Sequence, residues 1–98
     1  MSSNEFEAAV KFTASGGDGP SLSQTQQLMF YALFKQATKG TQRGKRPGRM
    51  QIVKRAKWDA WNKLGNMSQQ EARQQYVDMM TKVAPQWRQK AGLAQSAL

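Results

Sequence analysis

The sequence contains no cysteine and no histidine. Disulfides, thiolate metal sites, a Ser-His-Asp triad and a Cys-His pair are therefore excluded. Stability has to come from packing alone, which suits a reducing compartment. Long hydrophobic runs are also missing: the longest apolar-rich stretch, Leu28 to Phe34, is far too short to span a bilayer. The opening Met-Ser-Ser-Asn-Glu has neither a basic region nor an apolar run, so no secretory signal is expected and the protein reads as soluble and cytoplasmic. The six acidic residues are scattered, no catalytic constellation stands out, and an enzyme is not expected.

What is present fits one domain over residues 1–98, with a hydrophobic share of 39% that is enough for one modest core. A chain of this size buries only about 60–68% of its unfolded surface. A sizeable ligand should therefore lie in a groove or across an open face rather than in an internal cavity.

The formal net charge is +9, and it is concentrated. Between Lys35 and Lys63 stand ten basic residues (Lys35, Lys39, Arg43, Lys45, Arg46, Arg49, Lys54, Arg55, Lys57 and Lys63) against Asp59 alone, which accounts for the whole excess. The remaining five basic and five acidic residues balance. Such clustering points to an anionic partner: nucleic acid, a membrane surface or a phosphorylated ligand. The plain alternative is a basic face that is merely solvated.

Two Gly/Pro-rich stretches, Gly16-Gly17-Asp18-Gly19-Pro20 and Gly40 to Gly48 with Pro47, divide the chain, and Gly65-Asn66 makes a third break. Between them the apolar spacing is helical throughout. Phe6, Val10 and Thr13 recur along a first segment, behind a capping box at Ser2-Ser3-Asn4-Glu5. Ser23 and Gln26 open a second segment that runs through Leu28, Met29, Ala32 and Leu33 to Thr38. Val53, Ala56, Ala60, Trp61 and Leu64 form one stripe of a third. Ser68-Gln69-Gln70-Glu71 is the clearest capping box and precedes Ala72, Tyr76, Met80, Val83 and Trp87, with Pro85 expected to kink or end that helix near Ala84. The helical part should cover about residues 4–90, with a frayed tail over 91–98. These elements predict an all-α four-helix bundle with a long basic loop, about Lys39 to Gln51, between helices 2 and 3. Loops of that length are often functional.

Tyr31 and Lys35 sit one turn apart on one face of the second helix, and Lys57 and Trp58 fall on the third. A tyrosine hydroxyl and two lysines can converge on one phosphate, each lysine donating up to three charge-assisted bonds. Spacing alone leaves the alternative open, in which Tyr31 is a core residue and the lysines face solvent.

The exact residues add to this. Phe34-Lys35-Gln36-Ala37-Thr38-Lys39-Gly40, Arg46-Pro47-Gly48 and Ala56-Lys57-Trp58-Asp59-Ala60-Trp61 closely resemble, in order and spacing, the signature of the acyl-CoA-binding protein family. The resemblance extends from about Phe6 to Trp87. It implies an up-down-down-up bundle in which the long loop joins two parallel middle helices. It implies an acyl-CoA site made of Tyr31, Lys35, Lys57, Tyr76, Phe6, Val10 and Trp58. In that site Tyr31, Lys35 and Lys57 would hold the 3′-phosphate of the CoA ribose. Tyr76 and Phe6 would contact the adenine and acyl region, and Trp58 would lie near the acyl chain. Trp61 reads as core, and Gln36 and Thr38 as groups tying the helix end to the loop.

The chain departs from the pattern where the family often carries a lysine on helix 1, eight residues after the phenylalanine. Here that residue is Ala14, with Lys11 nearly one turn earlier. The segment between Phe6 and Tyr31 is about two residues longer than usual, and Lys45 makes the loop unusually basic. The implied function is a non-catalytic, cytoplasmic carrier of long-chain acyl-CoA for lipid metabolism, a monomer without cofactor or metal. Acyl-CoA-using enzymes and anionic membrane surfaces are its candidate further partners, and nucleic acid is not expected. The rival from another class is a basic helical module that binds nucleic acid or docks on anionic membranes through the Arg43-to-Arg49 loop.

Overall fold

The structure, a computed structural model, describes residues 3–15 and 19–92. Helix α1 spans Ser3–Thr13, α2 Gln24–Lys39, α3 Ile52–Asn62, α4 Gln69–Val83, and a short α5 Trp87–Lys90; no strand occurs among the described residues. The expected cap at Ser2 and the break at residues 16–18 lie outside the described residues, as does most of the tail.

Local chemistry sets the helix ends. At the start of α2 the capping box forms in full: the Gln26 N–H donates to Ser23 Oγ at 3.1 Å, and the Ser23 N–H donates to Gln26 Oε1 at 2.9 Å. At α4 only half of it forms. Ser68 Oγ accepts from the Glu71 N–H at 3.0 Å, but the Glu71 carboxylate accepts from Gln75 Nε2 at 3.1 Å instead of reaching back. Gly40 ends α2 at φ 83°, a left-handed conformation that suits glycine, and its N–H donates to the Gln36 carbonyl at 3.0 Å. Pro85, which has no N–H, separates α4 from α5, so the single apolar stripe read from Ala72 to Trp87 is carried by two helices.

The core is shared by α1, α2, α4 and α5. Phe6, Ala9 and Phe12 pack with Phe30, Leu33 and Ala37, with Ala72, Tyr76, Val77 and Met80, and with Trp87. Tyr76 stands at its centre, edge-on to Phe30 at 4.9 Å and to Phe6 at 5.3 Å between ring centroids. Beyond Pro85, Arg88 Nε donates to Glu5 Oε2 at 2.7 Å and ties α5 to α1. Helix α3 contributes no buried residue. Its expected apolar stripe is only half-covered, and Val53 at its start is 64% exposed.

Helix directions follow from which ends meet. Gln69 Nε2 and Arg73 Nη1, at the start of α4, donate to the Ala37 carbonyl near the end of α2, so these two helices are antiparallel. Trp61 Nε1, at the end of α3, donates to the Gly40 carbonyl at 2.9 Å, so α2 and α3 run parallel. Phe6 stacks on Phe34 while Thr13 shares a groove with Leu22 and Gln27, so α1 opposes α2. The result is the up-down-down-up bundle. Residues 40–51 must therefore travel back along the length of α3, about 16 Å for its 11 residues, before that helix can begin.

Two fasteners hold this connection against α3. Arg46 grips Asp59 with both Nε and Nη2 at 2.8 Å, and Trp58 Nε1 donates to the Gly44 carbonyl at 3.2 Å. The Arg46 bonds hold the Asp59 carboxyl below the ordinary carboxylate range. Gln36 makes a third junction elsewhere. Fully buried, its Nε2 donates to the carbonyls of Gly65 and Met67, fixing the turn between α3 and α4 rather than the long loop. Thr38 stays within its own helix, donating to the Phe34 carbonyl.

Candidate functional site

Because α2 and α3 are parallel, Lys57 comes alongside the Tyr31–Lys35 turn. Lys35 Nζ lies 5.7 Å and Lys57 Nζ 5.2 Å from the centroid of the Tyr31 ring, and Lys35 Nζ lies 5.9 Å from that of Trp61. Each such contact is worth about 0.5–1 kcal/mol at an exposed site, enough to orient an ammonium but not to neutralise it. Neither lysine ion-pairs with a carboxylate among the described residues. Two cations gathered round one ring without a counter-charge make a place where an anion is stabilised. The Tyr31 hydroxyl is available as a further donor there.

Tyr31 lines one of two shallow grooves that meet at Val10 and Phe34. One, of about 280 Å³, is lined by Val10, Thr13, Ala14, Leu22, Gln27, Phe30, Tyr31, Phe34 and Tyr76. The second, of about 560 Å³, runs past Phe6, Glu7, Val10, Lys11, Phe34, Ala37, Thr38, Gln69 and Arg73. Val10 and Phe34 form the wall common to both. Tyr76 is the floor of the first: it is 2% exposed, with its hydroxyl 2.8 Å from Thr13 Oγ1. Burial pushes the Tyr76 phenol above its ordinary value, and the Thr13 hydrogen bond opposes that shift.

Of the residues singled out in the sequence, Tyr31, Lys35 and Lys57 come together, and Val10 and Tyr76 share a groove with Tyr31. Phe6, 6% exposed, edges the neighbouring groove as a buried prop for Phe34. Trp58 stands apart from both grooves, half-buried against the loop. Ala14 lines the Tyr31 groove, whereas Lys11 lines the neighbouring one. Sequence reasoning missed Phe34 as the shared wall, since only its neighbours in the motif carried chemistry. It also took Trp61 as core; its Nε1 is spent on Gly40 and its ring stands beside Lys35. A third groove, of about 750 Å³, lies between α2, α3 and α4 along Leu28, Met29, Ala60, Leu64 and Met79, and shares no lining residue with the other two.

Comparison with known proteins places this geometry. A family model described as "Acyl CoA binding protein" matches residues 3–80. The chain is 40% identical over 84 residues to acyl-CoA-binding domain-containing protein 4 of Oryza sativa subsp. japonica, a match that covers 85% of this chain and 25% of that protein. The chain thus spans about a quarter of the length of that curated relative. Among solved structures, the acyl CoA binding protein of Babesia bovis T2Bo superposes with a TM-score of 0.76 at 39% identity, covering 90% of this chain and 99% of the other. The crystal structure of ACBP from Moniliophthora perniciosa gives a TM-score of 0.79 at 38% identity, covering 99% and 90%.

Proposed function

The chain belongs to the acyl-CoA-binding protein family, and on that premise we propose that it is a non-catalytic, cytoplasmic carrier that binds a long-chain fatty acyl-CoA and buffers it for lipid metabolism. The observation that carries this is the pair of ammonium groups of Lys35 and Lys57 set round Tyr31 without a carboxylate, where Tyr31 itself lines an apolar groove. A phosphate there accepts from both lysines and from the Tyr31 hydroxyl. The adenine and the adjoining part of the ligand rest against Val10 and Tyr76. The acyl chain follows the apolar surface that includes Phe6, with Trp58 as a more distant neighbour. Acyl-CoA-using enzymes are the proposed recipients.

The energetics require both ends of the ligand. Charge-assisted hydrogen bonds contribute about 1.5–3 kcal/mol each, so three supply about 5–9 kcal/mol. Buried methylenes add about 0.8 kcal/mol apiece. Association costs a large share of either sum, so neither the nucleotide nor the fatty acid suffices alone, while the two together reach the nanomolar range.

Calorimetric titration at physiological salt with palmitoyl-CoA, free CoA and a short DNA duplex tests this reading. Tight one-to-one binding of palmitoyl-CoA, weak binding of the other two and affinity that rises with acyl length support it. Binding of DNA that falls steeply with salt, without dependence on acyl length, sinks it.

A further inference from the structure

Among the described residues four large hydrophobic side chains are exposed, and three of them lie within four consecutive positions: Met50 at 94%, Ile52 at 75% and Val53 at 64%. Single exposed apolar residues are ordinary, but a cluster at one tip has to be accounted for. This cluster sits where the long connection enters α3, and it is flanked in sequence by exposed Arg49 and Lys54. No acidic residue other than Asp59 occurs between Lys35 and Lys63, and Asp59 is already held by Arg46. The Arg46–Asp59 pair and the Trp58–Gly44 hydrogen bond fasten the connection to α3 further along the helix.

From this we infer that Met50, Ile52 and Val53, with Arg49 and Lys54 beside them, form a docking tip for an anionic lipid bilayer. Aliphatic side chains gain by entering the boundary between headgroups and acyl chains, and cations around them are drawn to phosphatidylserine-type headgroups. Met50, Ile52 and Val53 give a nucleic acid no stacking surface, which aromatic rings provide, and Trp58 lies further along α3 with its N–H spent on Gly44. Neither signal is strong alone; an apolar insertion combined with a polybasic rim is the pairing that gives stable but reversible membrane binding. Lys57 follows Val53 by one turn of α3, so the contact brings the Tyr31–Lys35–Lys57 face to the lipid surface, where an acyl-CoA can be taken up or released.

The test is co-sedimentation of the ligand-free protein with vesicles of phosphatidylcholine alone and of phosphatidylcholine with roughly one third phosphatidylserine, at about 0.15 M salt. Binding is expected to the second and not to the first. Arg49→Gln with Lys54→Gln should weaken it about fivefold per charge removed. Met50→Ser with Ile52→Ser should weaken it by about tenfold or more while the far-ultraviolet dichroism stays that of the parent. Absence of binding to the anionic vesicles overturns the inference. So does binding that the Met50→Ser, Ile52→Ser protein retains in full, or that a short DNA duplex abolishes only by occupying a surface indifferent to those two substitutions. No acyl-CoA enters the assay, so its failure leaves the carrier reading standing, and failure of that reading leaves this result intact.

Discussion

The side-chain nitrogen of Gln36 lies 2.7 Å from the carbonyl oxygen of Met67 and donates to it, while also reaching the Gly65 carbonyl at 3.0 Å. One amide in the last turn of α2 thereby closes the turn that leads from α3 into α4. The Gln36 side chain is wholly buried, and its Oε1 has no hydrogen-bond partner among the described residues. It is a polar group kept inside for what its nitrogen does.

Replacing Gln36 with Leu should therefore destabilise the protein, because the carbonyls of Gly65 and Met67 lose their donor. The expected loss is about 1–3 kcal/mol, read as a lower denaturant midpoint with an unchanged slope. An unchanged midpoint would mean that water satisfies those carbonyls as well as the amide does.

Lys35→Ala and Lys57→Ala should each weaken palmitoyl-CoA binding by about 1.5–3 kcal/mol in calorimetric titration, since each removes one charged partner of the same phosphate. Because both side chains lie on the surface of their helices, thermal unfolding should shift little. The double variant should lose less than the sum of the two, as expected for groups that share one anion. Parental affinity in both single variants would remove this face from the ligand site.

Tyr76 gives the fold an alkaline limit. Its phenol is held above the ordinary value by burial, so the folded state keeps its proton where the unfolded chain, at about pH 10, begins to lose it. The resulting stabilisation is fully present below pH ~10 and declines as pH rises through the folded value. In Tyr76→Phe that alkaline decline should be shallower, while at neutral pH the variant should be about 0.5–1.5 kcal/mol less stable for want of the Thr13 bond. Equal slopes above pH ~10 in denaturation of the two proteins would contradict the assignment.

The helices were legible because apolar recurrence reports which face of a segment is apolar, and Ser23 with Gln26 marks a start by chemistry that needs no tertiary partner. Periodicity does not report whether anything covers that face. Val53 fits the stripe of α3 as well as Ala56 does, yet it stands in solvent because α3 leans on one flank of α2 and, among the described residues, nothing overlies its first turn. The half-formed cap at Ser68 is a choice of Glu71 between two donors of similar strength, Ser68 N–H and the Gln75 amide, which sequence cannot rank. Tyr31 and Lys35 were readable as neighbours on one helix. That Lys57 joins them depends on two helices running in the same direction, which only the resemblance to a known signature supplied. Ala14 facing the Tyr31 groove then fixes the register of α1 that the glycine-rich break left open.

The lack of any buried side chain on α3 has a bearing on how the molecule breathes. The parts of a fold that open first are those with least apolar surface to expose, and α3 has no side chain of its own in the core built on Tyr76 and Trp87. One of the two proposed phosphate-binding lysines thus rides on a helix with no buried side chain, and the other on a helix anchored through Phe30, Leu33 and Ala37. An anion gripped by both fastens α3 to the rest by mass action. Loading the cargo and holding the third helix in place are then linked equilibria.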